Sequence, residues 1–182
     1  MNSMKPYRVE YVQIGGWETD EVGLWLAESE NWLLLRHIPA DYAVDGYVLV
    51  AKEHIVSRKP RSGRKQVEQI LKLKGIQPEI PSGFVFMGLV EIMRWVEQRY
   101  GLVEFTDEEE HTFLGWVNEA DTVHLWVDTL SPNGTVRIRD NGNPPFVRSE
   151  IQLIRFDSDY FNSIKLLWQH KSRQKLLKPS DN

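Results

Sequence analysis

Short runs of alternating apolar and polar residues, cut by turn-forming residues, occur in this chain twice and in the same order. That recurrence restricts the possible fold more than any single motif. The first block opens with Tyr11-Val12-Gln13-Ile14 and the turn Gly15-Gly16; residues 22–26 and 32–35 then flank a polar turn at 27–31. Residues 47–50 follow Asp45-Gly46, and Ile55-Val56 closes the block. The second block runs through 102–105, 112–118, 122–129, 135–139 and 146–156, with turns at Pro132-Asn133-Gly134 and at 140–145. Period-two alternation bounded by Gly, Pro, Asn and Asp predicts short strands. Sequences of this kind fold as small sheets or barrels.

Helical spacing appears after each block and between them. Ser62 is placed to cap a helix carrying Val67, Ile70 and Leu71, with Gly75 as its stop. Leu89, Ile92, Met93 and Val96 recur at i, i+3, i+4 and i+7 within 85–100, which predicts a linking helix ending at Gly101. Asp157-Ser158-Asp159 offers N-caps for a last helix with Tyr160, Ile164, Leu167 and Trp168 on one face. The tail after Leu177 is expected to fray.

The blocks align as copies of one unit. At an offset of 91, Val12 and Ile14 fall on Val103 and Phe105, Trp25 on Trp116, Glu28 on Glu119, Glu30 on Asp121 and Leu34 on Leu125. At 97, Val50 falls on Val147, Glu53 on Glu150, Arg58 on Arg155 and Val67 on Ile164. The change of register is absorbed by the loop at 140–145. On this reading 11–75 and 102–172 superpose.

The order of strands, the run Gly115-Trp116-Val117-Asn118-Glu119-Ala120-Asp121 and the run Phe146-Val147-Arg148-Ser149-Glu150-Ile151 resemble the small Sm-like β-barrel. The chain is similar to uncharacterised bacterial proteins built from such units with a trailing helix. The resemblance implies a nucleic-acid role as well as a fold. The residues depart from it at the contacting positions: Thr122–His124 and Asn31–Leu33 stand where the nucleotide-contacting Asn is expected, and the Arg-Gly pair is Arg148-Ser149 in one copy and Ala51-Lys52 in the other.

Composition narrows the function. Twenty-two basic against 26 acidic residues leave a net charge of −4, without the global positive field of dedicated nucleic-acid binders. The absence of cysteine removes disulfides, thiolate nucleophiles and Cys-based metal sites, and fits a cytoplasmic protein. No apolar window is long enough to span a membrane, and the first residues contain no signal-peptide core. Seven tryptophans serve a core or a binding surface. The basic stretch Arg58, Lys59, Arg61, Arg64 and Lys65, continuing to Lys72 and Lys74, is the one candidate anion or nucleic-acid contact. No aromatic is interleaved to stack on bases, so a solvated helix start explains it better. The acidic run 107–110 with His111 reads as a hairpin turn, since successive strand residues point to opposite faces. The five histidines show no metal-ligand spacing, and no nucleophile elbow or phosphate-binding glycine loop occurs.

The expected fold is β-rich α+β: two Sm-like barrel or partial-barrel repeats, each followed by a helix. The first spans 7–75, the linking helix lies in 76–101, and the second repeat spans 102–177. The expected function is a non-catalytic protein-binding or scaffold module without cofactor or metal, with another protein or a second copy as partner. A nucleic-acid module using 58–74 is the alternative, followed by an enzyme or small-ligand binder with an unrecognised site.

Overall fold

The computed structural model describes residues 6–138 and 144–177. The strands are β1 (Val9–Ile14), β2 (Glu21–Glu28), β3 (Trp32–His37), β4 (Tyr47–Ala51), β5 (Ile55–Arg58), β6 (Val103–Thr106), β7 (Thr112–Ala120), β8 (His124–Leu130), β9 (Val136–Arg137), β10 (Phe146–Val147) and β11 (Leu153–Phe156). Three helices accompany them: α1 (Arg64–Leu73), α2 (Leu89–Tyr100) and α3 (Asp159–Leu177). The fold is therefore β-rich α+β. The strands form one antiparallel 11-stranded sheet in the order β10-β8-β7-β6-β11-β4-β3-β2-β1-β5, with β9 sharing the outer edge of β8. Among the described residues neither half closes on itself through a ladder. Instead β4 pairs with β11, in the register Leu153↔Val50 and Ile154↔Leu49, and fuses the halves.

Within each half the strands lie in one order. The first half reads β5-β1-β2-β3-β4 and the second β11-β6-β7-β8-β10. A single 3-10 turn, Lys52–His54 or Arg148–Glu150, separates the last two strands of each. The ladders fix the correspondence residue by residue. Glu10 faces Gly23 in the first half, and Val103 faces Gly115 in the second. A β-bulge follows Trp25 in β2 and Val117 in β7. Gly23 thus matches Gly115, and Trp25 matches Val117.

This corrects the alignment drawn from the sequence by one residue. Trp116 falls on Leu24, Leu125 on Leu33, and Asp121 on Ser29. From β4 onward Phe146 falls on Val50, Ser149 on Glu53 and Ile154 on Arg58. A one-residue shift reverses the face of a strand residue. Trp25 accordingly packs with Val12, Ile14, Leu33 and Leu35 inside the first half. Trp116 lies on the opposite face, its ring centroid 4.8 Å from that of Trp168 on α3. The two tryptophans share equivalent strands but not equivalent positions.

Other boundaries also move. The linking helix begins at Leu89 rather than near 85, and no helix is present over 76–88. Gly63, at φ 88°, occupies the N-cap of α1 in place of Ser62. The strand expected over 146–156 is cut into β10, the 3-10 turn and β11. Ser158 caps α3 as expected, its Oγ accepting from Phe161 N at 3.1 Å. Most of the turn at 140–145, and the tail after Leu177, lie outside the described residues.

The main core joins the halves. Ile92, Met93 and Val96 of α2 are fully buried against Leu34 and Leu49 of the first half and Phe105, Val127 and Ile154 of the second. A smaller core under α1 gathers Val9, Leu24, Ile38 and Leu71. On the face opposite the main core, Val48 and Val50 of β4 and Leu153 of β11 pack with Val12, Ile14, Leu33 and Leu35, so both faces of these central strands are buried.

Candidate functional site

The basic stretch is largely consumed by ion pairs. Arg58 Nη1 donates to Glu28 Oε2 at 2.7 Å and Nη2 to Glu10 Oε1 at 3.2 Å. Burial alone would lower the Arg58 pKa, but these two carboxylates outweigh it and hold the guanidinium charged. Arg61 Nε lies 2.5 Å from Asp20 Oδ2, and Arg64 Nε 2.9 Å from Glu68 Oε1. The three arginines at these contacts meet carboxylates of their own chain. Arg61, Arg64 and Lys65 line one surface hollow with Pro60 and Glu68, and Lys59 and Arg61 line another with Tyr11 and Asp20. Three of the five predicted residues thus share one hollow that Glu68 also lines, while Arg58 borders neither hollow.

The β2–β3 turn in the first half and the β7–β8 turn in the second each meet the 3-10 turn of their own half. Ser29 N donates to Trp32 O at 2.8 Å, and Asp121 N to His124 O at 3.1 Å. Trp32 N donates to Ser29 Oγ at 3.1 Å, and His124 N to Asp121 Oδ1 at 2.6 Å. Lys52 N then donates to Asn31 O and Arg148 N to Val123 O, at 2.8 and 2.9 Å. Lastly, Lys52 Nζ reaches Ser29 O at 2.9 Å and Arg148 Nη1 reaches Asp121 O at 2.6 Å. Matching turns thus carry a cation at the same point, and each cation holds a backbone carbonyl. Lys52, not Ala51, is the counterpart of Arg148.

A buried polar cluster, which sequence reasoning missed, links the halves. Glu21, 5% exposed, places Oε1 2.8 Å from His37 Nε2 and Oε2 2.6 Å from Arg155 Nη2. Arg155 Nη1 donates to Thr106 Oγ1 at 3.0 Å, and Trp17 Nε1 donates to Gln152 Oε1 at 2.6 Å. Burial pushes the Glu21 carboxyl up, but the His37 hydrogen bond and the Arg155 charge prevail and the net shift is downward. Glu104, opposite Arg155 on β6, is 5% exposed and shifted up, with burial the largest cause. The one available signal was a charged residue at an inward position of a predicted strand, and nothing in a single sequence ties Glu21 to Arg155 134 positions away.

A further concavity lies on the second half. A groove of about 460 Å³ runs between the first turn of α3 and strands β7 to β9, lined by Thr112, Leu114, Leu130, Pro132, Arg137 and Tyr160. Tyr160 is half exposed. Val136 and Ile138, at the sheet edge beside the groove, are 37% and 65% exposed. The lining mixes polar Thr112, Thr129, Ser131 and Arg137 with apolar Leu114 and Leu130, and the exposed Val136 and Ile138 flank Arg137 in sequence. Among the described residues, no helix is long and apolar enough to cross a membrane.

Comparison with known proteins finds no matching family model, no matching curated protein and no matching solved structure.

Proposed function

We propose that the chain is a non-catalytic protein-binding or scaffold module of the bacterial cytoplasm, built from two copies of one Sm-like five-stranded unit. The common strand order and the paired turn hydrogen bonds support the two-copy reading. The function rests on one observation: the groove beside Tyr160 adjoins an edge strand that presents Val136 and Ile138 to solvent. Edge strands expose unpaired backbone donors and acceptors, and partners bind them by adding a strand while side-chain pockets supply selectivity. The ion pairs of Arg58, Arg61 and Arg64 weigh against a phosphate-binding role for the basic stretch, since each would have to exchange a carboxylate for a phosphate.

The test replaces Val136 and Ile138 with Asp. The wild-type chain, tagged and recovered from its native lysate, should retain a partner protein that the double variant binds about tenfold or more weakly. A loss of that size fits the removal of one central anchor. Both chains should keep the same thermal midpoint. Fluorescence anisotropy should show no binding of unstructured RNA at physiological salt. Equal partner retention by the variant, or tight RNA binding, would overturn the proposal.

A further inference from the structure

Among the described residues the sheet's end strands are β5 and, beside β8, β9 and β10. On the two-copy reading these are the counterparts of the strands joined at the internal junction: β10 corresponds to β4, and β5 to β11. A second copy could therefore repeat the β4–β11 pairing by laying its β5 against β10, and a third could follow. The residues at the edges say whether such extension is possible.

At the internal junction Ala51 N donates to Gln152 O at 2.9 Å. Hydrogen-bonded pairs recur every second residue in an antiparallel ladder. The next ones are then Leu49 with Ile154 and Tyr47 with Phe156. The 3-10 turns align the edges with this junction, because Ile55 N closes one on Lys52 O as Ile151 N closes the other on Arg148 O. Ala51 and Leu49 then correspond to Val147 and Pro145, while Gln152, Ile154 and Phe156 correspond to Val56, Arg58 and Pro60. A proline follows β5 and another precedes β10, at the positions where the junction has a backbone donor. Proline has no N–H to give. The apolar match is lost as well: Leu153, Ile154 and Phe156 are fully buried in the junction, whereas their counterparts are Ser57, Arg58 and Pro60.

We infer that Pro60 and Pro145, with Arg58 between carboxylates, block head-to-tail growth of the sheet, so that the chain ends as a two-unit sheet rather than a link in a polymer. Proline and charge on exposed edges are recognised means of preventing edge-to-edge association. The inference rests on the two-copy reading, but concerns only self-association through these edges.

The chain contains no cysteine, so a pair introduced at Val56→Cys and Val147→Cys reports edge contact as an interchain disulfide. In the wild-type background no such disulfide should form under mild oxidation, and sedimentation velocity should show a monomer independent of concentration. With Arg58→Ile, Pro60→Phe and Pro145→Leu added, the edges copy the junction, and the disulfide and concentration-dependent oligomers should appear. A 56–147 interchain disulfide in the wild-type background would overturn the inference, and that arm requires no change to the prolines. A converted chain that keeps its near-ultraviolet circular dichroism yet stays monomeric would also overturn it. Neither readout involves the Val136–Ile138 surface, so failure here and failure of the partner-binding reading are separate results.

Discussion

Glu104 and Glu21 lie in one polar cluster and are driven in opposite directions. Glu21 has two partners, His37 and Arg155, and its carboxyl is shifted down despite its burial. A lowered folded-state pKa contributes stability above the unfolded value, and that contribution is lost as pH falls through the folded one. Glu104 shows the reverse. Burial is the largest cause of its upward shift, Arg155 only partly opposes it, and Glu104 Oε2 has no hydrogen-bond partner among the described residues. A raised folded-state pKa gives stability below the unfolded value that disappears as pH rises through the folded one, so above the ordinary carboxylate range the buried carboxyl is a cost. The counterpart of Glu104 in the first half is Tyr11. Glu104→Gln keeps the shape of the neutral acid, and should stabilise the fold at pH 7 by about 1–3 kcal/mol, the scale of an unpartnered buried polar group. The gain should shrink as pH falls into the ordinary carboxylate range. Thermal melts of both chains at several pH values check this, and an equal or lower midpoint at pH 7 would contradict it.

Register, at the level of strands, is set by the glycines. A Cβ on Gly23 would lie 2.6 Å from Leu35 Cβ and 2.7 Å from Arg36 O, and one on Gly115 would lie 2.0 Å from Asp128 O. Neither strand pair has room for a side chain at that point. Gly115→Ala must push β7 and β8 apart, and overpacking of this kind costs typically 1–3 kcal/mol. The expected result is a lowered thermal midpoint, with Gly23→Ala behaving alike. A change below about 0.5 kcal/mol at both sites, the ordinary range for surface substitutions, would mean that the close approach does not constrain the register. The same glycines explain what was legible beforehand. Strand existence, the order of elements and the caps of α3 follow from alternation, turn residues and Ser158, all of which are local. Aligning the blocks on Trp25 and Trp116 gave the right strands and the wrong faces, because a tryptophan can pack on either face while a glycine at a steric pinch cannot move. The Glu21–Arg155 pair was not legible at all, since it depends on β11 crossing into the first half. The groove beside Tyr160 was equally hidden, being created by how α3 lies over β7 to β9.

At the scale of the whole molecule, the halves look separable in sequence but share their core. β11 belongs to the second half by chain order, yet Leu153 packs in the first-half cluster with Val12, Leu33, Leu35 and Val50. Arg155 reaches Glu21 across the same boundary, and Asp45 of the first half accepts from the backbone N–H of Asp159 at the start of α3, at 2.7 Å. On the other face of the sheet, Ile92, Met93 and Val96 of α2 are buried by residues of both halves. If the first half unfolded alone, Leu49 and Leu34 would leave this shared core, and Glu21 would abandon Arg155 as a buried, unpaired cation. Loss of one partner of a buried ion pair costs about 3–5 kcal/mol. Exposure of each fully buried leucine adds roughly 1.5–3 kcal/mol. Those penalties together match the 5–15 kcal/mol total stability usual for a domain. No partly folded intermediate should therefore be populated. Urea unfolding followed by far-ultraviolet circular dichroism and by tryptophan fluorescence should give one transition with coincident midpoints. The fluorescence probe samples both halves, because Trp25 lies in the first and Trp116 in the second. Two separated transitions, or a fragment of residues 1–76 that folds with native-like fluorescence, would show that the halves are independent domains and that the β4–β11 ladder only tethers them.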